Sequence, residues 1–430
     1  MIRTAAVVLL LAMSAMPARS EVARSWDVAL ERLVPLPGAD SKKRELNGSV
    51  VAGYQGWFGA EGDGSGLGWK HYGGKNLGPG RCSFDLWPDM SELENDEKFP
   101  TQFQDADGSP AYLFSSYHPR TVDRHFKWMA DYGIDGAMLQ RFGVSLKSPQ
   151  SFDFGTTVMQ NVRKGAANHG RSWAMMYDLS GMKAEDVMPV ITEDWKRLVG
   201  KAAILKDAGY LHHNGRPLVA VWGIGFNDKR QYGLKECGQL VDFLKAEGCA
   251  VMLGVPYFWR DLKRDATDDA ELHVLLAKAD IISPWSIGRY RSVTDVTKNV
   301  PSRLAGDLAW TGEKTIAYLP VVFPGFSWRN LEKGRGRDAP LNAIPREGGK
   351  FLWQQAVEAK RAGATMIYVA MFDEVDEATA ILKATNQPPG GADEFITYEG
   401  LPSDHYLWLT GRIGEMLKAP GVRDYAMPER

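Results

Sequence analysis

The sequence of 430 residues has few cysteines and no excess of either charge. Its 3 cysteines are too few for a framework of several disulfides. Cys237 is expected near the start of a helix and Cys249 at the start of the following strand, so the length of that helix holds them too far apart to bridge. Lys and Arg total 51 while Asp and Glu total 53, which argues against the concentrated basic surface of a nucleic-acid-binding protein. We expect no structural disulfide, no thiolate metal site and no nucleic-acid partner.

Long apolar runs are scarce as well, and the N terminus holds the exception. Arg3 is followed by an apolar run over residues 4–13, and residues 18–20 (Ala-Arg-Ser) have the small-x-small pattern of a cleavage site. The run is shorter than the roughly 18 apolar residues that a membrane anchor, the alternative interpretation, requires. We therefore predict a signal peptide over residues 1–20 and an exported mature chain, periplasmic or extracellular, over residues 21–430. No later run is long enough to span a membrane.

Eight short apolar runs recur along the rest of the chain, and nearly continuous apolar character is typical of strands buried on both faces. They cover residues 50–54, 134–140, 172–177, 218–222, 250–255, 281–285, 315–321 and 365–371. Helical patterns separate most of them and are clearest over residues 123–132, 195–208, 234–247, 270–279 and 351–362, with a last one over 405–417. Asn214-Gly215 indicates a tight hairpin turn before the fourth run.

This alternation predicts an α/β protein with a single (β/α)8 TIM-barrel domain. A doubly wound open sheet is the alternative, but no Gly-x-Gly-x-x-Gly follows the first strand. The segment 57–120 is rich in Gly, Pro and aromatic residues. We interpret it as a long loop inserted after strand 1, over the barrel mouth, rather than as a separate domain.

The active site of such a barrel forms at the C-terminal ends of the strands. Aromatic and amide side chains dominate these positions, and aromatic faces stack on sugars while amides and arginine bind hydroxyl groups. The candidate substrate-binding residues are Tyr54, Gln55, Trp57, Gln140, Arg141, Asp178, Trp222, Tyr257, Trp285 and Trp328. No glycine-rich cradle with a lysine is present for phosphate, and neither His-Glu-x-x-His nor Gly-x-Ser-x-Gly occurs. The pattern favours an oligosaccharide or polysaccharide as the binding partner, without a cofactor.

The strongest chemical signal follows the eighth run, where Asp373-Glu374-Val375-Asp376-Glu377 concentrates four acids. If the chain turns helically there, the Cβ atoms of Glu374 and Glu377 lie about 5–6 Å apart. Retaining glycosidases hold two carboxyl groups about 5–5.5 Å apart, and crowding of two acids raises the pKa of one of them. We therefore predict Glu374 and Glu377 as catalytic residues, with Asp373 beside the substrate. A solvated acidic loop and a Mg²⁺ or Ca²⁺ site remain the alternatives.

These segments resemble glycoside hydrolase family 99. Residues 371–379 (Met-Phe-Asp-Glu-Val-Asp-Glu-Ala-Thr) resemble its Asn-Glu-Trp-x-Glu-Gly-Thr signature, with Asp373 in place of Asn, Val375 in place of Trp and Ala378 in place of Gly. Residues 54–58 (Tyr-Gln-Gly-Trp-Phe) are similar to its aromatic segment after strand 1. Residues 323–329 (Phe-Pro-Gly-Phe-Ser-Trp-Arg) are similar to its loop after strand 7. Over nearly the whole mature chain the sequence resembles exported family 71/99-like proteins of the xylosidase/arabinosidase type.

The resemblance implies a (β/α)8 fold, no required cofactor, and retaining hydrolysis of an α-mannan. It further implies that Glu374 deprotonates the sugar 2-hydroxyl, which attacks C1 to give a 1,2-anhydro sugar, while Glu377 is the general acid and then the general base. The hypothesis is an exported glycoside hydrolase that cleaves an α-glycosidic bond with retention. The alternative is a carbohydrate-binding barrel that no longer catalyses. The sugar, the linkage, endo or exo action and the oligomeric state do not follow from the sequence.

Overall fold

The computed structural model describes residues 25–36, 44–421 and 425–430. The predicted signal peptide, residues 1–20, lies outside the described residues. Eight parallel strand positions form a barrel, in agreement with the predicted fold. The strands are β1 (Val50–Tyr54), β2 (Gly136–Phe142), β3 (Ser172–Asp178), β4 (Arg216–Trp222), β5 (Ala250–Pro256), β6 (Ile281–Trp285), β7 (Ala317–Tyr318 and Val321–Val322) and β8 (Ile367–Val369).

The barrel closes through the interrupted strand β7. Its first segment pairs in parallel with β6 and its second with β8, which itself pairs with β1. Between the segments the Leu319 N–H donates to the Ile282 carbonyl at 2.9 Å, and the Pro320 carbonyl accepts from the Tyr368 N–H at 3.0 Å. Proline has no N–H to contribute to a ladder, which accounts for the interruption.

Ten α-helices lie within the described residues, and most of them cover the outside of the barrel. They are α1 (Trp26–Glu31), α2 (Pro119–Asp131), α3 (Pro149–Asn168), α4 (Ala184–Gly200), α5 (Leu234–Ala246), α6 (Glu271–Leu276), α7 (Val293–Glu313), α8 (Arg329–Gly334), α9 (Lys350–Arg361) and α10 (His405–Lys418). No helix in this described part is long and apolar enough to cross a bilayer.

The predicted helix over residues 195–208 is wrong in its bounds. Helix α4 begins at Ala184 and ends at Gly200, and Ala203 has a left-handed φ of 53° before a short 3-10 turn. Helices α3 and α7 were not predicted. Both contain residues of poor helix propensity in their interiors, such as Gly165 and Pro301, so packing against the barrel overrides the local preference.

The interior of the barrel is filled by side chains, and Gly53 of β1 shows how tightly. A Cβ at this position would lie 2.1 Å from the Tyr368 hydroxyl and 2.3 Å from the Met371 sulfur. Only glycine leaves room for these two side chains at the level just below the site. The predicted hairpin turn before β4 is confirmed, since Asn214 and Gly215 have φ of 51° and 74°. All three cysteines are free and buried.

The long segment between β1 and α2 is an insertion over the mouth, as predicted. It contains a hairpin formed by strands Phe99–Gln104 and Pro110–Leu113. The N–H groups of Asp85 and Leu86 both donate to the carbonyl of Val375, in the loop after β8. Backbone hydrogen bonds therefore tie this insertion to the acidic loop.

Candidate active site

The two predicted catalytic glutamates follow β8 at the C-terminal end of the barrel. Glu374 is 3% exposed, whereas Glu377 is partly exposed. Oε1 of Glu374 accepts a hydrogen bond from Nε2 of Gln55 at 2.6 Å, and Oε2 accepts one from the Thr379 hydroxyl at 2.6 Å. Because Gln55 directly follows β1, this contact joins the first and last strands. Glu374 is therefore held in one orientation by partners on both sides.

Arg346 binds the backbone of the loop that carries the glutamates. Its Nη2 donates to the carbonyls of Ala378 at 2.8 Å and Ala380 at 2.7 Å, and its buried guanidinium lies over the rings of Tyr398 and Tyr406. Ala378 has a φ of 50°, a conformation that glycine adopts without strain. Sequence reasoning missed Arg346, which carries no local motif.

Asp373 has structural partners in the protein, and its predicted contact with substrate stays a prediction. It is 0% exposed, and its two carboxylate oxygens accept the N–H groups of Gln55 and Gly56, each at 2.8 Å. These bonds join the end of β8 to the end of β1. Burial raises the pKa of Asp373 to about 7, although the two N–H donors act in the opposite direction. A carboxylate offers an acceptor to both N–H groups, whereas asparagine offers one.

Replacing Asp373 with asparagine should therefore destabilise the fold. One backbone N–H would face an amide NH₂ at this buried position, and we expect a loss of about 1–3 kcal/mol in the free energy of unfolding. Urea denaturation at pH 4, where the folded protein does not bear the cost of ionising Asp373, measures the effect, with the exposed Asp268→Asn as control. Equal unfolding free energies for D373N and wild type would show that the two bonds contribute nothing.

Burial and mutual repulsion raise the pKa values of both glutamates. The pKa of Glu374 is raised to about 8, first by burial and then by the charge of Asp376. The pKa of Glu377 is raised well above its ordinary value, by burial and then by Glu374 and Asp376. The hydrogen bonds from Gln55 and Thr379 favour the ionised form of Glu374. These two donors therefore act on Glu374 in the direction opposite to burial.

A layer of residues from the long insertion lies against the acidic loop. Nδ1 of His71 is 3.4 Å from Oδ2 of Asp376, and the His71 ring stacks on Trp57 at 3.8 Å. Lys70 donates to the Trp57 carbonyl at 3.2 Å. Burial raises the pKa of Asp376 to about 7 and lowers that of Lys70 to about 8. The sequence left the role of His71 open and gave no signal for Lys70, because both reach the site only through the fold of the insertion.

Two of the predicted substrate-binding residues are committed to protein partners. Tyr54 is completely buried, and its hydroxyl bonds Nδ1 of His125 at 2.8 Å, so it belongs to the core. Arg141 is buried and forms a bidentate pair with Asp194 through Nε at 2.7 Å and Nη2 at 2.6 Å. The charge of Arg141 is thereby neutralised within the protein. Both side chains therefore have structural partners, and their predicted contacts with substrate stay predictions.

Asp178 has most of its surface covered. Its Oδ1 accepts the Ser180 N–H at 2.7 Å, which stabilises the loop after β3.

A cavity of about 40 Å³ between the ends of β1 and β2 is lined by Gln55, Trp57 and Gln140. The side-chain oxygens of Gln55 and Gln140 have no hydrogen-bond partner among the described residues. Unpaired polar atoms of this kind are rare in protein interiors and are expected where a ligand or water binds.

The predicted tryptophans stand at the ends of several strands. Trp57, Trp222, Trp285 and Trp328 are all partly exposed, and the rings of Trp222 and Trp285 meet edge to face at 5.5 Å. Arg230, which the sequence analysis did not select, lies over the Trp222 ring at 5.0 Å. Tyr257 lines a different pocket, after β5. The mouth thus combines aromatic faces with the acidic loop.

The metal alternative requires three or more ligands directed at one point. Within the ranges that the structure describes, no group of three His, Cys, Asp or Glu side chains has that arrangement. The carboxylates of Asp373 and Glu374 are instead occupied by N–H and O–H donors from the protein. The four acids after β8 thus differ in their partners and burial.

No protein-family model matches the sequence, and no curated protein is significantly similar to it. Many solved structures match the fold, among them two of one enzyme. The GH99 endo-alpha-mannosidase from Bacteroides thetaiotaomicron in complex with BIS-TRIS-propane has a TM-score of 0.59 and 16% sequence identity, over 87% of this chain and 98% of that chain. A second structure of the GH99 endo-alpha-mannosidase from this organism has a TM-score of 0.57 and 17% identity over the same shares. The chain therefore has the (β/α)8 fold of the family 99 endo-α-mannosidases.

Proposed function

We propose that this protein is an exported glycoside hydrolase that cleaves an α-glycosidic bond with retention. The observation that carries the proposal is the unequal environment of Glu374 and Glu377 on one turn after β8. Two donors favour the ionised form of Glu374, whereas burial and the charges of Glu374 and Asp376 hold the pKa of Glu377 well above its ordinary value. Paired carboxyl groups with separated pKa values are the usual acid and base of glycosidases.

The first step uses both residues at once. Glu374 removes the proton of the sugar 2-hydroxyl, O2 attacks C1, and the bond from C1 to the leaving oxygen breaks. Glu377 gives its proton to that oxygen, so the products are a 1,2-anhydro sugar and a free alcohol. Gln55 and Thr379 hold the base in position and stabilise its charge before the reaction.

The second step restores both side chains. Glu377, now ionised, removes a proton from water, whose oxygen attacks C1. The bond from C1 to O2 breaks, and O2 recovers the proton held by Glu374. Each step inverts the configuration at C1, so the product retains the configuration of the substrate.

The substrate class follows from the walls of the site. The partly exposed rings of Trp57, Trp222, Trp285 and Trp328 present faces on which a pyranose stacks, and the unpaired amide oxygens of Gln55 and Gln140 accept hydroxyl protons. The endo-alpha-mannosidase activity of the two proteins of similar fold makes α-linked mannans the first substrates to test. Export rests on the signal-peptide pattern of residues 1–20.

A product screen tests the proposal. The purified protein is incubated with α-linked mannans and with other plant and bacterial polysaccharides. The anomeric proton of the first product is followed by NMR. We expect an α-configured first product that later mutarotates. A β-configured first product would refute retention, and tight binding without any released reducing ends would favour the non-catalytic carbohydrate-binding barrel.

A further inference from the structure

A second pocket opens at the same end of the barrel, beside the ends of β5 and β6. It has a volume of about 500 Å³, which is within the range of small-molecule binding sites. One aspartate, Asp261, lines it together with the aromatic residues Tyr257 and Tyr290. Four arginines complete the lining: Arg260, Arg264, Arg289 and Arg303. The lining therefore has four positively charged side chains and one negatively charged side chain.

Arg260 is held from behind by a fully buried carboxylate. Its Nε donates to Oδ1 of Asp307 at 2.8 Å, and Asp307 also accepts the Tyr318 hydroxyl at 3.1 Å. Gly306 on α7 makes room for the guanidinium, because a Cβ there would lie 2.5 Å from Nη2 of Arg260. One edge of the guanidinium is thus fixed in the protein, and Nη1 lies 3.7 Å from Oδ1 of Asp261 at the lining of the pocket.

Two further arginines are held in a similar way. Nε of Arg289 donates to Oδ2 of Asp265 at 2.7 Å, and Nη2 of Arg303 donates to Oδ2 of Asp261 at 2.5 Å. Nη1 of Arg303 has no hydrogen-bond partner among the described residues. Three guanidinium groups are therefore preorganised by acids behind or beside them, which reduces the entropy that a ligand must overcome.

Arg264 completes the set on the exposed side. Its guanidinium lies 4.4 Å above the Phe258 ring. In the described ranges it forms no ion pair. The pocket thus has a positive charge that no acid of the protein neutralises.

We propose that this pocket binds an oxyanion group, a carboxylate or a sulfate, carried by an acidic saccharide. Planar guanidinium forks bind such groups with paired, charge-assisted hydrogen bonds, which a neutral hydroxyl does not match. The rings of Tyr257 and Tyr290 supply the apolar surface beside the charge. That the oxyanion belongs to a saccharide rests on the proposed function, whereas the affinity for the anion itself does not.

Isothermal titration calorimetry of the full-length protein tests this site without requiring hydrolysis. The probes are glucuronate, glucose 6-sulfate, inorganic sulfate and glucose as the uncharged control. We expect the charged probes to bind and glucose not to bind. Arg264→Gln should weaken the binding of the charged probes about five- to tenfold, while Lys263→Gln, an exposed neighbour outside the pocket, should leave it unchanged.

The outcomes separate this inference from the proposed function. Equal affinity of R264Q and wild type for every charged probe, or no binding of any of them, would overturn the anion site whatever the hydrolase activity. Charged sugars that bind no more tightly than inorganic sulfate would overturn the saccharide part alone. Tighter binding of the charged sugars, lost in R264Q, supports the whole inference and holds even if no polysaccharide is cleaved.

Discussion

Replacing Glu377 with glutamine is expected to lower kcat/KM on an oligosaccharide about 10²–10⁴-fold, which is the usual contribution of a general acid and base. Glutamine has the same shape but cannot give a proton to the leaving oxygen. The nitrophenolate of a nitrophenyl glycoside leaves without protonation. In E377Q, the burst of nitrophenolate that accompanies formation of the 1,2-anhydro sugar should therefore be slowed much less than oligosaccharide cleavage. This difference between leaving groups identifies an acid, because loss of structure would reduce both reactions alike.

Replacing Glu374 with glutamine should give a different result. A base that acts on the 2-hydroxyl is needed whatever the leaving group, so E374Q should lose oligosaccharide and nitrophenyl activity to the same extent. Glu61→Gln, an exposed position on the long insertion, is the matched control and should retain full activity. Near-wild-type activity of either E374Q or E377Q, with an unchanged circular dichroism spectrum, would end the catalytic assignment.

The acidic loop should make the protein less stable as the pH rises. Burial raises the pKa of Asp373 and Asp376 to about 7 and that of Glu374 to about 8, and it raises the pKa of Glu377 well above its ordinary value. The folded protein therefore binds these protons more tightly than the unfolded chain does. The resulting loss in the free energy of unfolding is absent below about pH 4.5, the pKa of these groups in the unfolded chain. It grows as the pH rises toward their pKa values in the folded protein.

Glu377→Gln should remove part of this cost. We expect E377Q to match the wild type near pH 4 and to exceed it increasingly in unfolding free energy as the pH rises to 8, since the folded protein then pays to ionise Glu377. Thermal or urea denaturation across this range, with E61Q as control, measures the difference. Buried histidines also titrate here, and burial lowers the pKa of His125 to about 3, but their contribution cancels between variant and wild type. A difference that does not change with pH would contradict the prediction.

The barrel itself was predictable from local patterns. Continuous apolar runs, separated by helical periodicity and ended by glycine, specify strands buried on both faces and the helices that cover them. The bounds of β1 and β6 agree with the predicted ones, and the hairpin at Asn214-Gly215 is confirmed. The prediction failed where helix propensity conflicted with packing: the bounds of α4 were wrong and α7 was not predicted. Tertiary contacts there outweigh helix preferences of less than about 1 kcal/mol per residue, proline apart.

The candidate site was predictable in part. The three-residue spacing of Glu374 and Glu377 at the end of a strand is a local feature, so the sequence alone indicated both positions. Their partners are not local: Gln55 lies 319 residues before Glu374 in the chain, and Arg141 lies 53 residues before Asp194. Which polar group meets which depends on the closure of the barrel, and hydrophobic periodicity carries no information about it.

The arginine pocket shows the same division. Each arginine was visible in the sequence, but residues of the loops after β5 and β6 and of α7 become neighbours only when adjacent strand–helix units pack side by side. Local periodicity specified which faces are buried, and therefore the architecture and the end of the barrel where chemistry is expected. Closure of that barrel decided which buried charges are paired, and so distinguished Tyr54, Arg141 and Asp373, which support the structure, from the glutamates that remain for chemistry.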